Sequence, residues 1–350
     1  MLLVPWMRAV AGGLLLLPAL AAAVDKGDYT DHPKASAFIE QMVAQGMDRD
    51  FVSGLVFDAK HQQSILDAIS KPAEKRLDWG GYRKIFLGQS RIDQGVEFWN
   101  TYEDTLNRAS AIYGVAPEVI VAIIGVETRY GRHAGRYRVI DALATLAFDY
   151  PPRSPFFTTQ LGEFMQLTQE QKLDPKVIKG SYAGAMGYGQ FIPSSYRHYA
   201  VDFDRDGTTD ILTNPVDAIG SVANYFKQHK WRSGEPVTLA VALNQSPMKT
   251  ADELAWSTAL KPVETVAYWR NQGIAVDPTL ANEATATAMR LTTAAGEEYW
   301  LGMHNFYVIT RYNHSSLYAM AVHQLSQAIL EQREAKPAAA ETTANENKGA

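Results

Sequence analysis

Apolar residues recur at helical spacing along most of this chain, and the breaks between runs fall at proline and glycine. The first run, HPKASAFIEQMVAQG from His32, places Pro33 where the opening turn of a helix tolerates it. FVSGLVFDAK (51–60) and QQSILDAISKP (62–72) predict two short amphipathic helices. RIDQGVEFWNTYEDTLNRASAIYG (91–114) predicts one long helix, closed by Gly114. Pro117 opens the next helix, which carries IVAIIGVETRYG (120–131), and RVIDALATLA (138–147) predicts another. Three prolines between Tyr150 and Pro155 exclude helix and central strand there, and PFFTTQLGEFMQLTQEQ (155–171) resumes helical spacing.

The second half changes character twice. KGSYAGAMGYGQFIPSSY (179–196) crowds four glycines among Tyr, Met, Gln and Phe, and predicts a tight loop beside a groove. No strand precedes it at the spacing a nucleotide loop requires. After a helix from PVDAIGSVANYFKQHKW (215–231), the runs PVTLAVAL, ETVAYWR and ATAMRLTT predict strands of a small antiparallel insert over 235–302. HNFYVITRYN then leads into SLYAMAVHQLSQAILEQ, a final helix, and 335–350 predict a disordered tail.

Composition narrows the function. The net charge of −5, with no long Lys/Arg run, argues against a nucleic-acid partner. Cysteine is absent, which removes disulfides, thiol catalysis and Cys-based metal sites. The eight histidines lack a zinc spacing such as HExxH, and there is no GxSxG elbow. Residues 1–23 read as a signal peptide: Arg8, the apolar run AVAGGLLLLPAL, then small residues suited to cleavage. A retained N-terminal anchor is the alternative. No other stretch reads as membrane-spanning.

Two stretches carry chemistry. Glu127 shares a helix face with Ile120, Ile123 and Ile124, so desolvation should raise its pKa toward that of a general acid at neutral pH. The alternative is a structural glutamate paired with Arg129 or Arg132. A second carboxylate could come from Asp141, Asp149 or Glu163, none of which lies in a motif. In VDFDRDGTTDILTNPVD (201–217), Asp202, Asp204 and Asp206 stand at positions 1, 3 and 5 of an EF-hand-like loop, with Gly207 at 6 and the Thr208 carbonyl at 7. Position 12 is Thr213 instead of Glu, which leaves Asp217 to close a longer loop and Asp210 as a further candidate. An acidic turn without an ion is the alternative; mutual repulsion of the acids favours a structural Ca2+.

Taken together, IIGVETRYGR (123–132), GSYAGAMGYGQFIPSSY (180–196), the DxDxDG loop with NPVDAIGSVANYF, and RYNHSSLYAMAV (311–322) resemble the membrane-bound lytic murein transglycosylase B family, glycoside hydrolase family 103. The resemblance covers about 30–333. It implies a mainly α (α+β) fold with a helical N-terminal domain (24–115), a lysozyme-like catalytic core (116–234), a small antiparallel β domain (235–302) and a C-terminal segment completing the core (303–334). It implies cleavage of the MurNAc–GlcNAc β-1,4 bond of peptidoglycan to 1,6-anhydromuramyl products, with Glu127 as acid and then base. It implies that Ser181 bonds the Glu127 carboxylate or the substrate acetamido group. Gln190 and Tyr225 would line sugar subsites, Met186 and Phe191 would make apolar contacts, and Tyr312, Asn313 and Tyr318 would complete the groove.

Three features depart from the family pattern. An arginine pair expected after Tyr-Pro is Pro152-Arg153 here, so only Arg153 is left to meet a peptide stem. The acidic loop is one residue longer before Pro-Val-Asp, and no cysteine is present to carry a lipid. The expectation is a soluble periplasmic monomer acting on glycan strands, with other cell-wall enzymes as candidate partners. A hydrolytic muramidase or a non-catalytic peptidoglycan-binding protein on the same scaffold are the alternatives.

Overall fold

The computed structural model describes residues 27–70, 77–244, 251–254, 256–257 and 259–346, so the expected signal peptide lies outside the described residues. The centre of the molecule is α7 (Pro117–Thr128), with Pro117 in its first turn. It is apolar on every side, and Val119 through Gly125 are all buried, as a helix enclosed by others must be. Ile120, Ile123 and Ile124 are fully buried, which stabilises the fold by about 2 kcal/mol each relative to exposure. Packed on it are α5 (Gln89–Thr101), α6 (Glu103–Tyr113), α11 (Pro215–Gln228) and α14 (Ser316–Glu346).

Beside this group, α8 (Val139–Asp149) is buried along its whole length and packs against α9 (Ser154–Glu170). The N-terminal helices α1 (Pro33–Ala44), α2 (Arg49–Asp58) and α3 (Gln63–Ile69) join that side; α2 is capped by the Asp48 carboxylate accepting from the Phe51 N–H. The connection from α8 to α9 is a 3-10 turn over Pro151–Arg153, and Pro155 sits in the first turn of α9. The three prolines therefore open a helix, at positions where the missing N–H costs nothing, instead of excluding one.

A five-stranded antiparallel sheet lies against the helices, in the order β4 (Glu264–Thr265), β6 (Thr285–Thr293), β7 (Gly296–Gly302), β3 (Thr238–Leu243), β5 (Ile274–Ala275). Alternation along β6 sends Met289 and Leu291 into the main core and Ala286 and Ala288 into a second cluster with Trp269 and Leu301. Glu298 on β7 clasps the sheet to α4 (Trp79–Phe86), accepting from Arg83 Nη1 at 2.9 Å and Trp79 Nε1 at 3.2 Å.

Two further expectations are corrected. The helix expected over 91–114 is two, broken at Tyr102 (φ −115°, ψ 27°), where α6 begins with Glu103 and Asp104 suited to a helix N-terminus. ETVAYWR is a strand only at Glu264–Thr265; the Thr265 hydroxyl caps α12 (Val266–Gln272) by accepting from the Tyr268 N–H, and Gly273 ends it left-handed. α14 runs on to Glu346 with Pro337 inside it, and 347–350 of the tail expected to be disordered lie outside the described residues.

Candidate functional site

Glu127 occupies the last turn of α7, and the chain leaves that turn through three consecutive left-handed residues: Arg129 (φ 52°), Tyr130 (φ 61°) and Gly131 (φ 83°). Two of these are not glycine, a strain of about 1–3 kcal/mol each that the surroundings must hold in place. The Tyr130 N–H donates to the Ile124 carbonyl at 3.2 Å, and the Tyr130 hydroxyl donates to the Arg91 carbonyl at 2.9 Å. Arg129 donates to Gln94 Oε1 and Ser90 Oγ, both at 2.9 Å, and Arg132 pairs with Glu97. Neither arginine is thus Glu127's partner, and the structural alternative for Glu127 loses the groups it needed.

Instead, Tyr318 on α14 donates its hydroxyl to Glu127 Oε1 at 2.5 Å. Protein atoms crowd the carboxyl, yet the residue keeps part of its surface open to solvent. Burial pushes its pKa up to about 7, against a smaller lowering by the Tyr318 bond; among the described residues no charged group shifts it further. Burial, and next the Glu127 charge, push Tyr312 and Tyr318 well above the ordinary tyrosine range, so both remain hydroxyl donors.

The other expected site residues divide. Phe191, Tyr225 and Tyr312 form one aromatic cluster, with ring centroids 5.8 Å (Phe191–Tyr225), 5.9 Å (Phe191–Tyr312) and 4.7 Å (Tyr225–Tyr312) apart. Tyr225 and Tyr312 are anchored by hydroxyls donating to the Arg311 and Gly189 carbonyls, both at 2.6 Å. Gln190, itself left-handed (φ 49°), donates its side-chain amide to the Ala134 and Gly187 carbonyls. Met186 and Phe191 exchange backbone hydrogen bonds, and Met186 is fully buried, so it supports the cluster from beneath.

Ser181 Oγ accepts from the Ala183 and Ala185 N–H groups, and among the described residues it does not bond Glu127. Its hydroxyl hydrogen is left available to an acceptor from solvent or a ligand. Asn313 is exposed, and exposed Arg153 lies over the rings of Phe156 and Phe157. Tyr82 on α4, on which the sequence reading is silent, is buried, and α4 packs against α14, the helix that carries Tyr318. Its only signal was an aromatic-rich stretch, WGGYRKIF.

The loop that frames the site is built on close backbone approach. The short strands β1 (Tyr137–Arg138) and β2 (Lys179–Gly180) pair, and Gly135 (φ 110°) lies so near that an added Cβ would stand 2.0 Å from the Gly180 carbonyl. Gly135→Ala is expected to lower stability by about 3 kcal/mol or more, measured as the shift in denaturant midpoint. A wild-type midpoint would show that the loop has room the structure denies it.

The three other candidate acids are all occupied. Asp141 accepts from the Lys60 N–H, Asp149 from the Tyr29 hydroxyl and lies against His61, and Glu163 is bound by Arg197. In the acidic loop, Asp202, Asp204 and Asp217 bring carboxylate oxygens within 4.8 Å of one another. Asp217 is fully buried on α11 and accepts from the Phe203 N–H at 2.7 Å and the Asp210 N–H at 2.7 Å. Among the described residues no Lys or Arg pairs with these three acids, so a buried carboxylate faces two others without a positive charge. That donor set, hard oxygens only, fits a divalent cation such as calcium. Asp206 and Asp210 fall outside the set; Asp210 instead accepts from the Leu212 and Thr213 N–H groups as a turn.

The sequence signature of the Transglycosylase SLT domain family matches residues 30–327. The chain is 44% identical over 329 residues to membrane-bound lytic murein transglycosylase B of Escherichia coli K12, covering 91% of this chain and 89% of that protein. The fold is similar to that of soluble lytic transglycosylase SltB1 from Pseudomonas aeruginosa, with a TM-score of 0.81 and 49% identity over 86% of this chain and all of the other. It is also similar to Escherichia coli lytic transglycosylase Slt35, solved in complex with calcium, with a TM-score of 0.80 and 44% identity over 88% of this chain and 96% of that one.

Proposed function

Since the chain belongs to the Transglycosylase SLT domain family, we propose that it is a lytic transglycosylase of peptidoglycan and that Glu127 is its only catalytic carboxyl group. The observation that carries this reading is a crowded glutamate with a pKa near 7, bonded by one tyrosine and shifted by no second acid. At that pKa a single group can both give and take a proton near neutrality.

The neutral carboxyl gives its proton to the glycosidic oxygen between N-acetylmuramic acid and N-acetylglucosamine, and the C1–O4 bond breaks. The N-acetylglucosamine end leaves as an alcohol. The muramyl acetamido group stabilises the cationic C1. The Glu127 carboxylate then removes the proton from the 6-hydroxyl of the same sugar, O6 bonds to C1, and the acid is restored. No water is consumed. A hydroxyl held on the reacting sugar has an effective molarity on the order of 10⁵ M or more, which lets ring closure outrun hydrolysis. Tyr318 fixes the carboxyl, and Phe191 and Tyr225, both buried, back the half-buried ring of Tyr312 instead of lining the subsites themselves. Gln190, Ser181, Asn313 and Arg153 are proposed contacts to the bound glycan or its peptide.

The pH dependence tests this assignment. The alkaline limb of kcat on isolated sacculi is expected to fall with a midpoint close to pH 7, as the acid loses its proton before the bond breaks. A rate unchanged to pH 9 would remove Glu127 from the acid role.

A peptidoglycan substrate supports a periplasmic location, and the chain is proposed to act there as a monomer after removal of residues 1–23, meeting glycan strands and other cell-wall enzymes. Among the described residues no single helix is long and apolar enough to cross a membrane. Asp202, Asp204 and Asp217, with the Thr208 carbonyl and Asp206 nearby in the loop, are proposed to hold a Ca2+ whose role is structural. It would supply the positive charge that the buried Asp217 lacks.

A further inference from the structure

Thr128 ends α7 one residue after Glu127, and its side chain is buried. A threonine in a helix commonly turns its hydroxyl back to the carbonyl four residues earlier. Here that carbonyl, of Ile124, lies at 3.2 Å and already accepts from the Tyr130 N–H. The Thr128 hydroxyl makes its shorter bond elsewhere, donating to the Tyr188 carbonyl at 2.9 Å, and it accepts from the Gly131 N–H at 2.9 Å. One side chain thus joins three pieces of backbone: the end of the helix that carries the acid, the left-handed turn that leaves it, and the glycine-rich loop. Closing the helix does not require this hydroxyl. The Arg129 N–H donates to the Gly125 carbonyl and the Tyr130 N–H to that of Ile124, so backbone bonds satisfy the terminus. The loop also lies directly on the turn, because a Cβ added at Gly131 would stand 2.2 Å from the Tyr188 ring.

Tyr188 is held a second time, its N–H donating to the Ile211 carbonyl at 3.1 Å. The next carbonyl, of Gly189, accepts from the Tyr312 hydroxyl at 2.6 Å. Adjacent carbonyls of one loop therefore take Thr128 from the acid's side and Tyr312 from the aromatic side. Gln190, a proposed glycan contact, follows directly. We infer that Thr128 is a positioning residue: its hydroxyl fixes the turn that carries Glu127 against the loop that shapes the sugar subsites, and so sets where the acid stands relative to a bound strand. The inference deepens the transglycosylase reading and rests on it for the substrate. A misplacement of about 1 Å at a reacting group can cost about a hundredfold in rate. Burial of the carboxyl depends on the same fit. A turn lifted from the loop would admit water and let the Glu127 pKa fall from about 7 toward its ordinary value.

Two substitutions in the full mature chain separate the hydroxyl from the shape. Thr128→Val keeps the shape and removes the hydroxyl, whereas Thr128→Ser keeps the hydroxyl and removes a methyl. On sacculi, Thr128→Val is expected to lose about tenfold or more in kcat and to move the alkaline midpoint of kcat below that of the wild type. Thr128→Ser is expected to hold the wild-type midpoint and to recover most of the rate. A second comparison needs no turnover. The gain in melting temperature that Glu127→Gln brings at pH 8 should shrink when combined with Thr128→Val and persist with Thr128→Ser, because a better hydrated carboxylate is penalised less. Should Thr128→Val not fold, Thr128→Ala takes its place in both comparisons. A folded Thr128→Val or Thr128→Ala with the wild-type midpoint and the full Glu127→Gln gain overturns the inference. Equal losses in Thr128→Val and Thr128→Ser overturn it too, since the methyl would then carry the effect. A wild type without turnover would count against the transglycosylase reading alone, and the melting comparison would still decide the role of Thr128.

Discussion

Glu127→Gln is expected to lower the release of soluble muropeptides from sacculi by about 10³-fold or more, since it removes the proton that the leaving oxygen needs. The amide is the same size and still accepts a hydrogen bond from Tyr318, so the fold is retained. The same substitution is expected to stabilise the protein above neutral pH. The folded-state pKa of Glu127 is raised from 4.5 to about 7, so between those values the folded chain holds a proton that the unfolded chain has released. Stability due to this group therefore falls as pH rises through that window and stays low above it. Glutamine carries no such penalty, and its melting temperature at pH 8 should exceed that of the wild type. Residual activity within tenfold of wild type, or a lower melting temperature at pH 8, would each count against a desolvated lone acid.

Removal of the cation is the second large effect. A ligand that binds only the folded state at about a thousand times its Kd adds about 4 kcal/mol. For a chain of this size its withdrawal should lower the melting temperature by about 5–10 °C. Chelator is expected to do this to the wild type, and calcium, but not an equal charge of sodium, to reverse it. Asp204→Asn is the informative variant because Asp204 is exposed, so the substitution by itself disturbs no core packing. It should melt near the chelated wild type and no longer respond to chelator. If chelator changes neither melting nor bound-metal content, the converging carboxylates of Asp202, Asp204 and Asp217 are an acidic turn and nothing more.

What could be read from the residues was what local chemistry dictates. The central helix announced itself because Gly114 closes the helix before it, Pro117 opens it, and the run from Val119 to Gly125 is apolar on every side. Glu127 was visible as the one carboxyl at the end of that run. The break at Tyr102 was not, because the residues on both sides of it favour helix and only the separate packing of α5 and α6 on α7 divides them. Val266–Gln272 looked like a strand because Val, Tyr and Trp favour one, but Thr265 and Gly273 supply caps at both ends. The partner of Glu127 illustrates the harder limit. Tyr318 entered through resemblance, as a groove residue, and its bond to the acid depends on α14 crossing α7. Tyr82 carries no motif, and only tertiary packing brings α4 beside it. Ser181 entered through resemblance as well, and its hydroxyl is already held by the backbone of its own turn, which no motif announces.

Mass spectrometry of the products released from sacculi by the wild-type enzyme tests the central claim most directly. Muramyl ends lighter by one water than the reducing sugar, with no 18O taken up from labelled solvent, are the predicted result. Reducing muramyl ends carrying 18O at C1 would show that water attacks instead, and that the same glutamate serves a hydrolase.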